Sequence, residues 1–152
     1  MTAEDKLNAL GLSLPKPPLP AGVYLRARRT GNLLFVAGQI PFVEGKVKYS
    51  GKVGEELELK EGYEAAKLCA LNALSVMKAE LGSLDHIVQL VRVTGFVCSA
   101  ESFTDQAKVV NGASELFGDV LGESGGHARI AIGVASLPLG AAVELEVIAE
   151  VK

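Results

Sequence analysis

Two different hydrophobic rhythms run along this chain. Between Leu59 and Leu81 the residues Tyr63, Ala66, Ala70, Leu74, Met77 and Leu81 recur at steps of three and four, and Gly82 follows as a stop. That spacing predicts an amphipathic helix, with alanines that let it lie close on its neighbour. A second stripe of Phe103, Ala107, Val110, Ser114, Phe117 and Leu121 predicts another helix, starting near Ser102 with Asp105 supporting a capped first turn. Both stripes read as core packing. Elsewhere the rhythm is that of strands: Gly22 to Thr30, the compact apolar run Asn32 to Ala37, a weak segment from Gly45 to Val53, and the valine-rich Ile87 to Cys98.

The last two strands carry the clearest pattern. Ile130, Ile132 and Val134 alternate with Arg129, Ala131, Gly133 and Ala135, and Val143, Leu145, Val147 and Ala149 alternate with Glu144, Glu146, Ile148 and Glu150. With Leu137 to Gly140 as a turn, they predict a hairpin that sets Ser136 opposite Ala141 and Gly133 opposite Glu144. One face then holds the branched side chains under the helices. The other holds Arg129, Ala131, Gly133, Glu144 and Glu146, a small-residue surface suited to close approach by another subunit or a ligand. In that register Arg129 and Glu144 stand four rungs apart, roughly 13 Å, so a site using both needs a second chain. The order strands, helix, strand, helix, hairpin predicts an α+β sandwich with both helices on one face of a largely antiparallel sheet.

Composition narrows the class. The chain has 152 residues, 49% of them hydrophobic, and carries a net charge of -3; its mean hydropathy is +0.30. This suits one domain, residues 22–152, preceded by a proline-rich arm, residues 1–21, that contains PKPPLPAG and a short possible helix. No apolar run approaches the ~20 residues of a membrane span, so the high apolar content points to self-association. Glu4 and Asp5 stand where a secretory signal is basic, which predicts a cytoplasmic protein. Cys69 and Cys98 read as buried small hydrophobes, and His86 and His127 lack a second ligand at zinc spacing. Arg26, Arg28 and Arg29 form the basic cluster, read as charges protecting an edge strand, and the acidic balance argues against nucleic acid as a partner.

Two blocks carry a family resemblance. Gly31-Asn32-Leu33-Leu34-Phe35-Val36-Ala37-Gly38-Gln39-Ile40-Pro41, with Tyr24 seven residues before its glycine, is similar to the N-terminal signature of the reactive intermediate deaminase (Rid, YjgF-like) family. Arg129 with its apolar strand, Leu137-Pro138, and Val143-Glu144-Leu145-Glu146-Val147-Ile148-Ala149 resembles the C-terminal signature. The resemblance implies the chorismate-mutase-like (YjgF-like) fold, a homotrimer with sites in clefts between subunits, and no metal or organic cofactor. It also implies hydrolysis of reactive 2-imino or enamine acids, such as 2-aminoacrylate, to a 2-keto acid and ammonia.

On that resemblance Arg129 matches the arginine that binds the substrate carboxylate, a task for which a guanidinium offers a planar two-donor fork. Glu144 matches the glutamate near the attacking water, Tyr24 a tyrosine lining the cleft, and Gly38 a glycine whose backbone borders the pocket. Asn111 matches a common asparagine and reads as structural. Ala131 stands where many deaminating members have a cysteine, Ala37 replaces a small hydroxyl residue, and the arm and the Gly125-Gly126 loop lengthen the chain. Against each role stands a structural one: an arginine or glutamate bonded within its own chain, a glycine that ends a strand. The alternatives to a deaminase are a trimer that binds a small carboxylate without chemistry, and an endoribonuclease, for which neither a His pair nor a strong basic groove is present.

Overall fold

The computed structural model describes residues 1–20 and 22–152; Ala21, the last residue of the expected arm, lies outside them. Helix α1 (Ala3–Ala9) is followed by strands β1 (Ala27–Thr30), β2 (Leu33–Gln39), β3 (Phe42–Val43) and β4 (Lys46–Val47). Helix α2 (Leu59–Leu81), β5 (Ile87–Cys98), α3 (Gln106–Leu121), β6 (Ala128–Val134) and β7 (Val143–Val151) complete the order. The result is the expected α+β architecture: α2 and α3 cover one face of a five-stranded sheet ordered β1-β2-β7-β5-β6, while β3 and β4 form a separate ribbon. None of the described helices is long and apolar enough to cross a membrane.

Local chemistry explains the helix limits. Glu61 accepts a hydrogen bond from the backbone N–H of Glu58 at 3.0 Å, closing the first turn of α2. Gly82 ends it in a left-handed conformation, donating its N–H to Lys78 O. Helix α3 begins later than Ser102, with Asp105 as its N-cap residue. Phe103 donates its N–H to Ala100 O and its side chain lies within 3.1 Å of where a Gly54 Cβ would stand, so the chain first turns inward.

The first strand is also shorter than its pattern, since only Ala27–Thr30 of the expected Gly22 to Thr30 pairs with β2. In the arm, Ala3 and Leu7 of α1 join the main core, and Ser75 on α2 donates its hydroxyl to Pro15 O.

The sheet departs from the sequence expectation at its C-terminal end. Strands β6 and β7 do not pair as a hairpin. Strand β5 lies between them, parallel to β6 with Phe96 opposite Ile132, and antiparallel to β7 with Phe96 opposite Glu144. Helix α3 is therefore the crossover of a β-α-β unit, the connection a parallel pair requires. The turn at Leu137 to Gly140 docks elsewhere: Gly51 N–H donates to Gly140 O, and Ala142 N–H to Tyr49 O.

This pairing also reverses the face assigned to β6. Val143, Leu145, Val147 and Ala149 are buried under the helices as expected, but Arg129, Ala131 and Gly133 share that inner side. Ile130 and Ile132 point outward, 47% and 43% exposed, on the same face as Glu144 and Glu146. Small residues belong on the inner side because α3 lies so near. A Cβ on Gly133 would stand 2.8 Å from both Ser99 Oγ and Gln106 Nε2, and one on Gly95 would stand 2.4 Å from Val110. The outer face is uncovered and mixed: Leu33 and Phe35 add 36% and 41% exposed side chains to the two isoleucines, beside the exposed Arg92–Glu146 and Gln89–Glu150 pairs.

Candidate functional site

Arg129 stands on the edge strand β6, opposite Val93, with its side chain turned toward α3. Its Nη1 donates to Asn111 Oδ1 at 2.8 Å and to Ser114 Oγ at 3.1 Å, and its Nη2 to Ala107 O at 3.3 Å. Asn111 and Ser114 are three apart on a helix, hence on one face, and together they occupy both Nη1 hydrogens. Of the five guanidinium donors, Nε–H and one Nη2–H have no partner among the described residues. Those two sit on adjacent nitrogens and suit a carboxylate.

Behind Ser114 lies His127. Its Nε2 is 2.9 Å from Ser114 Oγ and its Nδ1 is 2.6 Å from Gly125 O. Phe117 meets the imidazole edge-on, with ring centroids 6.0 Å apart.

Glu144 occupies a different place. It lies on the outer face of β7, half-buried, and burial raises its carboxyl pKa. A Cβ on Gly38 would stand 2.7 Å from Glu144 Oε2, so the carboxylate rests directly on the glycine Cα. Gln39, buried next to it, donates its Nε2–H to Ala37 O at 2.9 Å and holds that irregular end of β2. The two cysteines are buried, and burial raises the Cys69 thiol well above its ordinary range, with the Glu144 charge adding to it.

Of the residues singled out in the sequence, the fold thus joins Glu144 to Gly38, and Arg129 to Asn111. Arg129 and Glu144 lie on opposite faces with β5 between them. Two strand spacings across and three residues along separate their Cα atoms by roughly 14 Å. The expectation that they share a face is therefore overturned, although one chain still does not bring them to a single small ligand. Ala131 lies two residues beyond Arg129 on the inner side, against the core. Tyr24, 55% exposed, precedes β1 at the other edge of the sheet.

Ser114 and His127 were not legible as site residues. The signal available was two polar groups, Asn111 and Ser114, interrupting an otherwise apolar helical stripe. The basic cluster is partly engaged: Arg26 pairs with Glu80 at 2.7 Å, and Arg29 donates to Gly31 O and Lys152 O. An apolar cavity of about 790 Å³ lies between Pro15, Pro17, Phe42 and Leu71, with none of the candidate residues in its wall.

Comparison with known proteins agrees with the fold. Residues 4–151 match the family described as "YjgF/chorismate_mutase-like, putative endoribonuclease". Protein TCP17 of Trypanosoma cruzi is 44% identical over 145 residues, covering 95% of this chain and 91% of that protein. A crystal structure of an Agrobacterium tumefaciens protein of unknown function superposes with a TM-score of 0.94 at 42% identity, covering 99% of this chain and 92% of the other. The structure of a "putative endoribonuclease" from Shewanella oneidensis gives 0.97 at 33% identity, covering 99% and 100%.

Proposed function

We propose, from the premise that this chain belongs to the YjgF/chorismate mutase-like family, that it is a hydrolytic deaminase of small reactive 2-imino or enamine acids. Its sites would lie in clefts between copies of the chain, assembled as a homotrimer. The observation that carries this reading is the two-donor fork left open on Arg129, held from behind by Asn111, Ser114 and Ala107 O. A cation so braced, with two adjacent donors remaining, suits a carboxylate better than an exchangeable surface charge.

The rest of the machinery stands elsewhere on the sheet. Glu144 on Gly38 faces outward, and Tyr24 lies near the edge opposite β6, so the β6 edge of one copy has to approach the Glu144 side of another. The exposed Leu33, Phe35, Ile130 and Ile132 supply apolar surface for that contact.

In such a cleft Arg129 fixes the substrate carboxylate and so the position of the neighbouring C=N carbon. Glu144 takes a proton from water as its oxygen bonds to that carbon, giving a carbinolamine. The proton then passes to the nitrogen, and as the C–N bond breaks the carbinolamine hydroxyl gives its proton to the freed Glu144 carboxylate, so that 2-keto acid and ammonia leave. A carboxylate whose pKa is raised by burial is a stronger base for the first step and a usable acid for the second. Tyr24 has a phenol able to hydrogen-bond substrate or water. Gly38 lets the carboxylate lie where a larger residue would displace it.

The test is the decay of 2-aminoacrylate generated in place by a serine dehydratase. Wild-type protein should accelerate it, Arg129→Ala should abolish the acceleration, and Glu144→Gln should lower turnover while pyruvate binding persists. Pyruvate binding through Arg129 with no acceleration would replace this reading with a carboxylate-binding protein.

A further inference from the structure

We propose that His127 and Ser114 form a relay that positions Arg129, setting which guanidinium donors face a ligand; the ligand-binding half of this rests on the reading of Arg129 given above. The relay follows from donor and acceptor identities. Gly125 O can only accept, so at 2.6 Å the imidazole carries its proton on Nδ1. In the neutral ring Nε2 is then an acceptor, and the group before it, 2.9 Å away, is the Ser114 hydroxyl.

A guanidinium can only donate, so Ser114 Oγ accepts from Arg129 Nη1 at 3.1 Å. Its own hydrogen is free to satisfy His127. Each group in Gly125 O, His127, Ser114 and Arg129 thus has one role consistent with all its neighbours. The direction of the serine hydroxyl, and with it the lone pair offered to Arg129, is set by the imidazole.

The surroundings fix the imidazole in turn. Phe117 stands edge-on to it at an interplanar angle of 86°, and Gly125 is held tightly, since a Cβ there would lie 2.3 Å from Phe117 O. Ser114 and Asn111 together take both Nη1 hydrogens, which stops rotation of that end of the guanidinium. His127 touches no substrate in this arrangement. It is a positioning residue, two positions before the one it serves, and Ser114 is the joint between them.

Long-range proton–nitrogen NMR on the full chain tests the relay without any ligand. His127, assigned against His86→Gln, should show its proton on Nδ1, and Ser114→Ala should shift the Nε2 resonance. The Arg129 guanidinium should rotate slowly in wild type and faster in both Ser114→Ala and His127→Leu. A proton on Nε2, or guanidinium rotation unchanged by both substitutions, overturns the proposal.

Pyruvate then reads the consequence for binding. Ser114→Ala and His127→Leu should each weaken it about tenfold, the scale of one hydrogen bond to a charged group. The double variant should be no worse than either single one. Ser114→Thr and His127→Gln, which keep the hydroxyl and the acceptor, should restore affinity. In turnover the loss should appear in KM, with kcat within about twofold. Additive losses, or a loss confined to kcat, also refute the relay. If wild type neither binds pyruvate nor deaminates while the NMR behaves as expected, the relay stands and the functional reading of Arg129 falls.

Discussion

Helices α2 and α3 touch at a point where only glycine fits, and two substitutions in α3 should therefore have opposite signs. A Cβ on Gly112 would stand 2.1 Å from the carbonyl oxygen of Tyr63 and 2.9 Å from its carbon. These are backbone atoms of a neighbouring helix, so no side-chain rotation relieves the clash. Restoring contact of about 3.2 Å requires the helices to part by about 1 Å, in an interior packed like a solid. Overpacking of this kind costs about 1–3 kcal/mol, and the backbone contact places it at the upper end. The better helix propensity of alanine offsets about 1 kcal/mol. Gly112→Ala should thus lose about 2 kcal/mol, which in a domain of this size lowers Tm by roughly 4–8 °C.

Gly118, six residues on, has no atom within 4 Å of its added Cβ. Gly118→Ala should gain about 0.5–1 kcal/mol by propensity alone and raise Tm by roughly 1–4 °C. Thermal unfolding followed by circular dichroism, with urea titration as a check on the ranking, measures both. The same separation drags Asn111 and Ser114 away from Arg129, so Gly112→Ala should also weaken pyruvate binding. A Gly112→Ala protein as stable as wild type would refute the close helix crossing and the account of α3 as the rigid back of the site.

Gly38→Ala should act on turnover and not on stability. The clash is with the flexible end of Glu144, which must move about 0.7 Å to regain ordinary contact, a displacement that can cost up to about 100-fold in rate; a kcat like wild type would dissociate Glu144 from the chemistry. The raised pKa of Glu144 fixes the sign of a pH effect. Because the folded state holds this proton above the ordinary value of 4.5, its contribution to stability is present at low pH and lost as pH rises through the raised value. The Tm of Glu144→Gln should therefore gain on that of wild type from about pH 4.5 upward, and a difference flat from pH 4 to 8 would show that burial does not perturb the group. Finally, Ile132→Lys places a charge in the uncovered outer face. Analytical ultracentrifugation should find wild type as a trimer and the variant shifted toward monomer, while a monomeric wild type would remove the site between copies.

Periodicity was enough to locate both long helices and β5 but not every buried face: α3 buries Val109, Val110, Ala113, Leu116, Phe117 and Val120 while Ala107 of the expected stripe is exposed, and two bulges in β5 leave Val88 and Val91 each 40% exposed. It was misleading for β6. Branched residues at Ile130 and Ile132 mark the buried side of a strand when a single layer covers it. Here the start of α3 and Ser99 leave no room for a Cβ at Gly133, Arg129 on the same side bonds along α3, and the branched residues face outward. The small-residue surface was legible as a place of close approach, and what approaches is the chain's own α3. The hairpin failed for a related reason: a turn such as Leu137 to Gly140 reports a change of direction, not which strand lies alongside. The Gly38 and Glu144 contact, between residues 106 positions apart in number, depends on β2 and β7 pairing, which no local pattern encodes. Ser114 hid within the expected helical stripe because a serine there reads as small before it reads as polar, although it is only partly buried.

The position of β7 has a consequence for how the molecule comes into being. The strand made of residues 143–151 lies in the middle of the sheet, between β2 and β5, and among the described strands it is the one that joins β1-β2 to β5-β6. While a growing chain is still short of Val143, β2 and β5 each present an open row of backbone donors and acceptors, and the inner sides of both are apolar. Such edges invite pairing with other chains. Sheet assembly therefore closes from the last strand inward, in a single late step with large sequence separation, and a chain halted before that strand is two unjoined fragments of a sheet instead of a smaller version of the domain.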